Sequence, residues 1–302
     1  DGSVLERIQT ITPTADPTTG ITPSILIAND DDTVSLDDVL PNDEVDGEAT
    51  GETMGLGYID DDPTNGGGGA GATDGGGDAI TTGRDIIYGN GGNDTISADA
   101  GDDDLFGGAD NDTLNGEAGI DYFEGGAGID RIYGGTEADT AYGGADNDIL
   151  YGDDGDDILI GDGFADNAAD DIMYGGAGND SLIGEFGSQL GHDTMYGGAG
   201  SDNLEGGAGN DTQYGGADND ILYGRIGEDI LYGNGDSTND AMFGGDDADI
   251  IYAGANDLAN GGSGEVDGAD DDTLHLADGW EITMWDTDTD GDSLSGTATH
   301  ST

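Results

Sequence analysis

A chain of 302 residues with 62 glycines, no cysteine and four basic against 69 acidic residues carries a formal charge of −65. Such a chain excludes binding of nucleic acid or anionic membranes through basic patches, and it has no disulfide framework. No apolar run approaches the roughly 18 residues of a membrane span, and few large apolar residues beside so much charge would ordinarily mean disorder.

Residues 1–10 hold neither a basic n-region nor an apolar h-region, so no Sec-type signal is visible. Position 1 is an aspartate, which points to a processed chain or a fragment. Short strands are expected over 24–28 and 33–36, punctuated by Pro13, Pro17, Pro23 and Pro41. Residues 1–60 read as an irregular N-terminal segment or cap, and the Gly/Asp-rich stretch 61–84 as a linker or a degenerate first coil.

From residue 85 a period takes over. Aspartates stand at Asp85, Asp94, Asp103, Asp112, Asp121, Asp130, Asp139, Asp148, Asp157, Asp171, Asp180, Asp193, Asp202, Asp211, Asp220, Asp229, Asp240 and Asp249. Of their 17 intervals 14 are nine residues, the exceptions being 14, 13 and 11. Two residues after each comes a large apolar side chain, from Ile87 to Ile251, except at Ala141 and Gln213. Four residues after each comes glycine in 16 of 18 cases, Ala98 and Ala253 departing. The unit reads GGxGxDxUx, as in the nine residues from Gly125 to Tyr133, and after a decay near 256–268 Asp272 opens one last unit. A low-complexity linker has no reason to keep an apolar residue in phase with its acids.

The x-U-x triplet is a short strand with U inward and its neighbours outward. The six residues before it must reverse the chain tightly, and glycine tolerates the positive φ this needs. Two units make one coil of 18 residues, and the strands stack into two parallel sheets. Carboxylates then converge between stacked loops with backbone carbonyls, a hard oxygen set suited to calcium. One large apolar residue in nine makes too thin a core to order so glycine-rich a chain, so the ion is expected to be a folding ligand and the ion-free chain disordered.

These residues, over about 83–275, resemble the nonapeptide repeat of the RTX (repeat-in-toxin) hemolysin-type calcium-binding family. The resemblance implies an all-β parallel β-roll, a β-solenoid with two short-strand sheets and calcium ions in two rows between stacked loops, about one ion per loop pair. It implies that Asp272 and the eighteen aspartates above are metal ligands over a roll at 85–275. It also implies a bacterial protein, extracellular or at the cell surface, exported by type I secretion unfolded in low cytosolic calcium.

The long intervals mark loops at 161–170, 184–192 and 233–239, best read as tolerated insertions. Residues 276–302 read as a C-terminal cap and acidic tail, with Trp280 and Trp285 the only tryptophans. Asp286, Asp288, Asp290, Gly291 and Asp292 match the first half of an EF-hand loop, yet its twelfth position is Thr297 rather than glutamate; a solvated acidic turn is the simpler reading. Ten of 12 tyrosines lie three residues after a repeat aspartate, an outward position expected on both faces, and either stack on the sheet or offer a surface for self-association. His192, His275 and His300 stand isolated, and no catalytic constellation is visible, so the chain is not expected to be an enzyme. Two roles follow: a secreted calcium-folded structural or surface protein, or the folding and export module of a larger secreted enzyme, toxin or adhesin.

Overall fold

The computed structural model describes residues 43–46, 53–54, 80, 82–163, 169–186, 190–234, 238–262, 271–276, 280–286 and 294–300. The strands expected at 24–28 and 33–36 lie outside these residues, as do parts of all three long-interval loops. Among the described residues every regular element is a strand. Successive strands alternate between an 11-stranded and a 13-stranded sheet. Arg131–Thr136, for example, pairs in parallel with Ile149–Asp154, while the intervening Thr140–Ala145 belongs to the other sheet. Parallel neighbours need a crossover connection, and here that crossover is a strand of the opposite sheet with its two turns. The chain is an all-strand parallel β-solenoid, as the nine-residue period indicates.

The strands are longer than the expected triplet. Asp104–Ala109 runs past Leu105 into the two glycines, and its register with Tyr122–Ala127 holds as far as Ala109↔Ala127. Each inward residue is in register with its counterpart one coil on, as Leu150 is with Ile132 and Met173. These side chains form one file of core, from Ile87 to Ile251, with 1% exposure or less. Both exceptional positions are accommodated. Phe123, the bulkiest member, stands beside Ala141, so a large and a small residue share the space of two medium ones. Gln213 is fully buried between Met195 and Leu231, and its Nε2 donates to the Tyr223 carbonyl at 2.8 Å.

Both ends extend the roll beyond the aspartate register. Asp43–Asp46 pairs with Asp85–Tyr88, Val45 opposite Ile87, and Thr53–Met54 pairs with Thr95–Ser97, Met54 opposite Ile96. An irregular segment was expected over 1–60. Within it Val45 and Met54 stand nine apart, as repeat residues do, but 55–84 break the phase before Asp85. Ile80, inside the expected linker, is buried in the core file. At the other end Asp271–Leu276 follows Ile250–Ala253 in parallel, then Trp280–Asp286 and Leu294–His300 add antiparallel strands to the same sheet. Thr297, the twelfth position of the EF-hand-like stretch, therefore lies in a strand opposite Thr283.

Candidate metal centres

The six residues that follow each x-U-x triplet are numbered here one to six, the next repeat aspartate being sixth. In the turn before Asp112, Gly108 at position two has φ 110° and Asp110 at position four has φ 75°. The pattern recurs, with Gly126 and Gly128 at 112° and 127° and Gly135 and Glu137 at 118° and 76°. Two left-handed residues in such a turn reverse the chain within this length.

All nineteen predicted aspartates are buried, none more than 3% exposed. In seventeen of them Oδ1 accepts the backbone N–H of the aspartate one coil earlier, at 2.7–3.0 Å. These bonds form two ladders along the turn edges, and both survive the insertions, where Asp148 N–H still reaches Asp171 and Asp180 N–H reaches Asp202. The extra residues therefore leave the stacking of the turns intact.

The second carboxylate oxygen has a different fate. In Asp103, Asp112, Asp121, Asp130, Asp139, Asp148 and Asp157 Oδ2 is buried and no hydrogen-bond donor reaches it. A buried acceptor left this way costs about 1–3 kcal/mol, more when ionised, so the whole row calls for a partner. What surrounds these oxygens shows which. A Cβ placed on Gly107, at position one, would lie 2.6 Å from both Asp112 Oδ2 and the Gly125 carbonyl oxygen of the next coil. At Gly134 the same point lies 2.5 Å from Asp139 Oδ2 and 2.7 Å from the Gly152 carbonyl. Glycine at position one thus leaves open a cradle between a carboxylate and a carbonyl, and any side chain would fill it.

Burial governs the protonation of these acids. Loss of solvent pushes Asp112 up to about 6, Asp139 to about 8 and Asp148 to about 9, each opposed by the N–H bond that Oδ1 receives. Without a cation the carboxyls of Asp139 and Asp148 hold a proton at neutral pH; a cation in the cradle would replace it. Among the described residues no three His, Cys, Asp or Glu side chains converge on one point. Each cradle therefore combines few carboxylates with main-chain oxygens, a donor set that fits a hard cation such as calcium and disfavours zinc or copper.

Three kinds of residue escaped the sequence reading. Asp257 stands eight residues after Asp249 and precedes the small Ala259, so the period hid it. It accepts the Asp240 N–H at 3.2 Å, and Leu258–Gly262 takes its place in the 11-stranded sheet; its clue was the glycine four residues on, Gly261. Position five carries a ladder of its own, in which Asn111 Oδ1 accepts the Ile129 N–H at 3.0 Å. His192 belongs to it: Nδ1 accepts the Asn210 N–H at 2.8 Å, so the histidine, though exposed, is not isolated. The last kind is the buried pair Asp162 and Glu185, at position two of the first two interrupted turns.

The outward tyrosines are unevenly shared. Tyr133, Tyr151, Tyr174, Tyr196, Tyr214, Tyr232 and Tyr252 all lie on the 13-stranded sheet, stacked 4.4–4.9 Å apart and within 7° of parallel. His275 continues the column, 4.5 Å from Tyr252. On the other sheet the equivalent column is broken by Glu124, Ile160, Ile183 and Glu205.

A family described as RTX calcium-binding nonapeptide repeat (4 copies) matches this chain over residues 80–114, 115–148, 133–168, 164–188, 189–213, 214–238 and 234–265, continuous from 80 to 265. Comparison with curated proteins finds no match.

Proposed function

Because the chain belongs to the RTX calcium-binding nonapeptide repeat family, its β-roll is a calcium-binding repeat fold, and we propose that it serves a secreted structural or surface protein that folds when it meets external calcium. The nineteen predicted aspartates, joined by Asp257, are the side-chain ligands in this reading, with position-one carbonyls beside them and about one ion per stacked pair of loops. The supporting observation is the row of buried Oδ2 atoms that no donor reaches, each beside a cradle held open by glycine. Calcium supplies the positive charge that lets stacked carboxylates stay ionised out of water; the protein supplies their spacing. The roll has no part in catalysis.

Self-association through the 13-stranded face belongs to the same proposal. From Arg131 to Tyr252 the outward positions of its x-U-x triplets hold the seven tyrosines beside Arg131, Ile149, Ile172, Thr194, Thr212, Ile230 and Ile250, with no acid among them although the chain carries 69; exposed acids of this sheet such as Asp153 and Asp154 lie at the turn end of their strand. Two such triplet rows can meet along their tyrosines with the acids of the sheet kept to the turn ends. The alternative, a folding and export module of a larger secreted enzyme, toxin or adhesin, draws on the same chemistry: at low calcium the carboxylate rows repel and keep the chain unfolded for passage. Circular dichroism in chelator and in millimolar calcium tests the shared premise; β signal that ignores chelation would overturn it. The intact mass of the protein recovered from culture medium, set against its open reading frame, separates the two roles.

A further inference from the structure

Position two of a turn is ordinarily a solvent-facing place. Glu117 and Asp153, both at position two, have φ of 71° and 70° and are exposed. Asp162 and Glu185 occupy the same position in the turns of the 14- and 13-residue intervals, in register one coil apart, yet they are 1% and 3% exposed. Neither has a positive φ. The longer turns do not need the left-handed residue that the tight turn forces, and with ordinary φ the side chain swings inward. The shorter insertion is a control: in the 11-residue interval Asn234 keeps a φ of 66°.

The Glu185 carboxylate lies over Gly207 of the next coil, where a Cβ would meet Oε1 at 2.8 Å and Oε2 at 2.9 Å. Oε1 accepts the Ala208 N–H. Oε2 is buried and no N–H reaches it, and the Glu185 carboxyl lies beside that of Asp193. The cradle of Gly184, between Asp193 Oδ2 and the Gly206 carbonyl, adjoins it. Two buried carboxyls facing one another beside an oxygen-lined space cannot both ionise unless a positive charge lies between them.

We propose that Glu185 is a side-chain ligand at the Asp193 cradle, so that this interrupted turn holds a hard divalent cation with a carboxylate that uninterrupted turns lack, and fills before the others. The inference rests on the calcium reading of the repeats. Asp162, whose Oδ2 accepts the Ala169 N–H at 3.0 Å, holds the equivalent register position one coil earlier. The insertion before Asp193 then tightens one stretch of the ion row rather than decorating it.

Calcium or terbium titration of the full chain tests this, with Glu185→Gln compared against Glu117→Gln, which removes an exposed position-two acid. Carboxylate count tunes calcium sites over decades of affinity, so Glu185→Gln should move the tightest uptake step to about tenfold higher concentration. Glu117→Gln should superpose on the wild type. Coincident curves for the two variants would overturn the proposal while leaving the repeat reading intact; a wild type that takes up no ion would overturn both. Far-UV circular dichroism at saturating calcium separates a lost ligand from a lost fold. Should Glu185→Gln not fold, the same titration on Glu185→Asp decides, since its carboxylate is one methylene short and unchanged tight uptake there would equally sink the idea.

Discussion

The turn edges and the inward file solve the same problem, how to bury something regular, with opposite chemistry. In the file, Ile132, Leu150 and Met173 stack on one another at 0% exposure and need nothing from outside. At the edges, Asp130, Asp148 and Asp171 are as deeply buried but each leaves one oxygen without a donor. The file is complete as a folded chain; in the calcium reading proposed above, the ionised edges are completed by cations. Stability that depends on solution conditions should therefore come from the edges, and stability that does not should come from the file.

The largest expected effect removes the edge partner altogether. In chelator at pH 8 the chain should lose its β signal, and millimolar calcium should restore it cooperatively, with magnesium a poor substitute because it dehydrates reluctantly and demands a smaller cage. The pH dependence follows with a definite sign. Burial raises edge carboxyls above the ordinary 3.8 of an unfolded aspartate, Asp112 to about 6 and Asp148 to about 9. A group raised on folding contributes stability that is present below its unfolded pKa and lost as pH rises through the folded one. Calcium-free protein should thus gain β structure on acidification from pH 8 towards 5, while the calcium midpoint rises as protons compete for the same oxygens. Circular dichroism over a grid of pH and calcium reads both trends, and a calcium-free chain indifferent to pH would mean that the buried rows carry no protonation energy.

Next comes a change within the file. Leu150→Ala leaves every edge ligand in place and removes core between Ile132 and Met173. Denaturant titration at saturating calcium should show a loss of about 2–5 kcal/mol. Asp148→Asn does the reverse: it keeps an acceptor for the Asp130 N–H, now 2.7 Å from Oδ1, and removes the charge. Its effect should be a shift of the calcium midpoint that nearly vanishes at saturation. If both variants lost the same stability in saturating calcium, edges and file would not be separable in the way their burial indicates.

Much of this division is legible in the residues themselves. Nine-residue phasing of Asp, U and Gly is enough to assign inward residues, turn positions and both sheets, because one slip would put a carboxylate in the core. What escapes is whatever breaks phase. Val45 and Met54 keep the period between themselves but are cut off by 55–84, and Asp257 comes one residue early. Glu185 escapes for another reason, since its position-two acid reads like Glu117 and only the backbone φ sends one inward and the other out. The tyrosine column was within reach and missed: Tyr133, Tyr151 and Tyr174 occur in every second repeat, which puts them on one sheet.

That column supplies the smallest expected effect on folding. Stacked rings 4.8 Å apart from Tyr151 to Tyr214 follow the spacing of the strands beneath them, so the stack needs no side-chain rearrangement to form and leaves its outer edge to solvent. Replacing Tyr151, Tyr174, Tyr196 and Tyr214 by serine removes the stack from four coils of the 13-stranded face while leaving the file and every edge aspartate untouched. Exposed cross-strand aromatic pairs contribute about 0.2–1 kcal/mol each, so each of the five lost pairs should cost less than one buried leucine, and the calcium midpoint should move less than in a variant that loses a ligand. Light scattering in calcium is the discriminating measurement. If the tyrosine rows of this face mediate association, the wild type should assemble at high concentration and the variant should remain monomeric with full β signal. Replacing Tyr88, Tyr142 and Tyr223 on the other sheet, whose outward positions include Asp104, Glu124 and Glu205, should leave assembly as it was. Equal loss from both sets would make assembly a property of tyrosine content rather than of one face, and a monomeric wild type would leave the column a purely intramolecular stack.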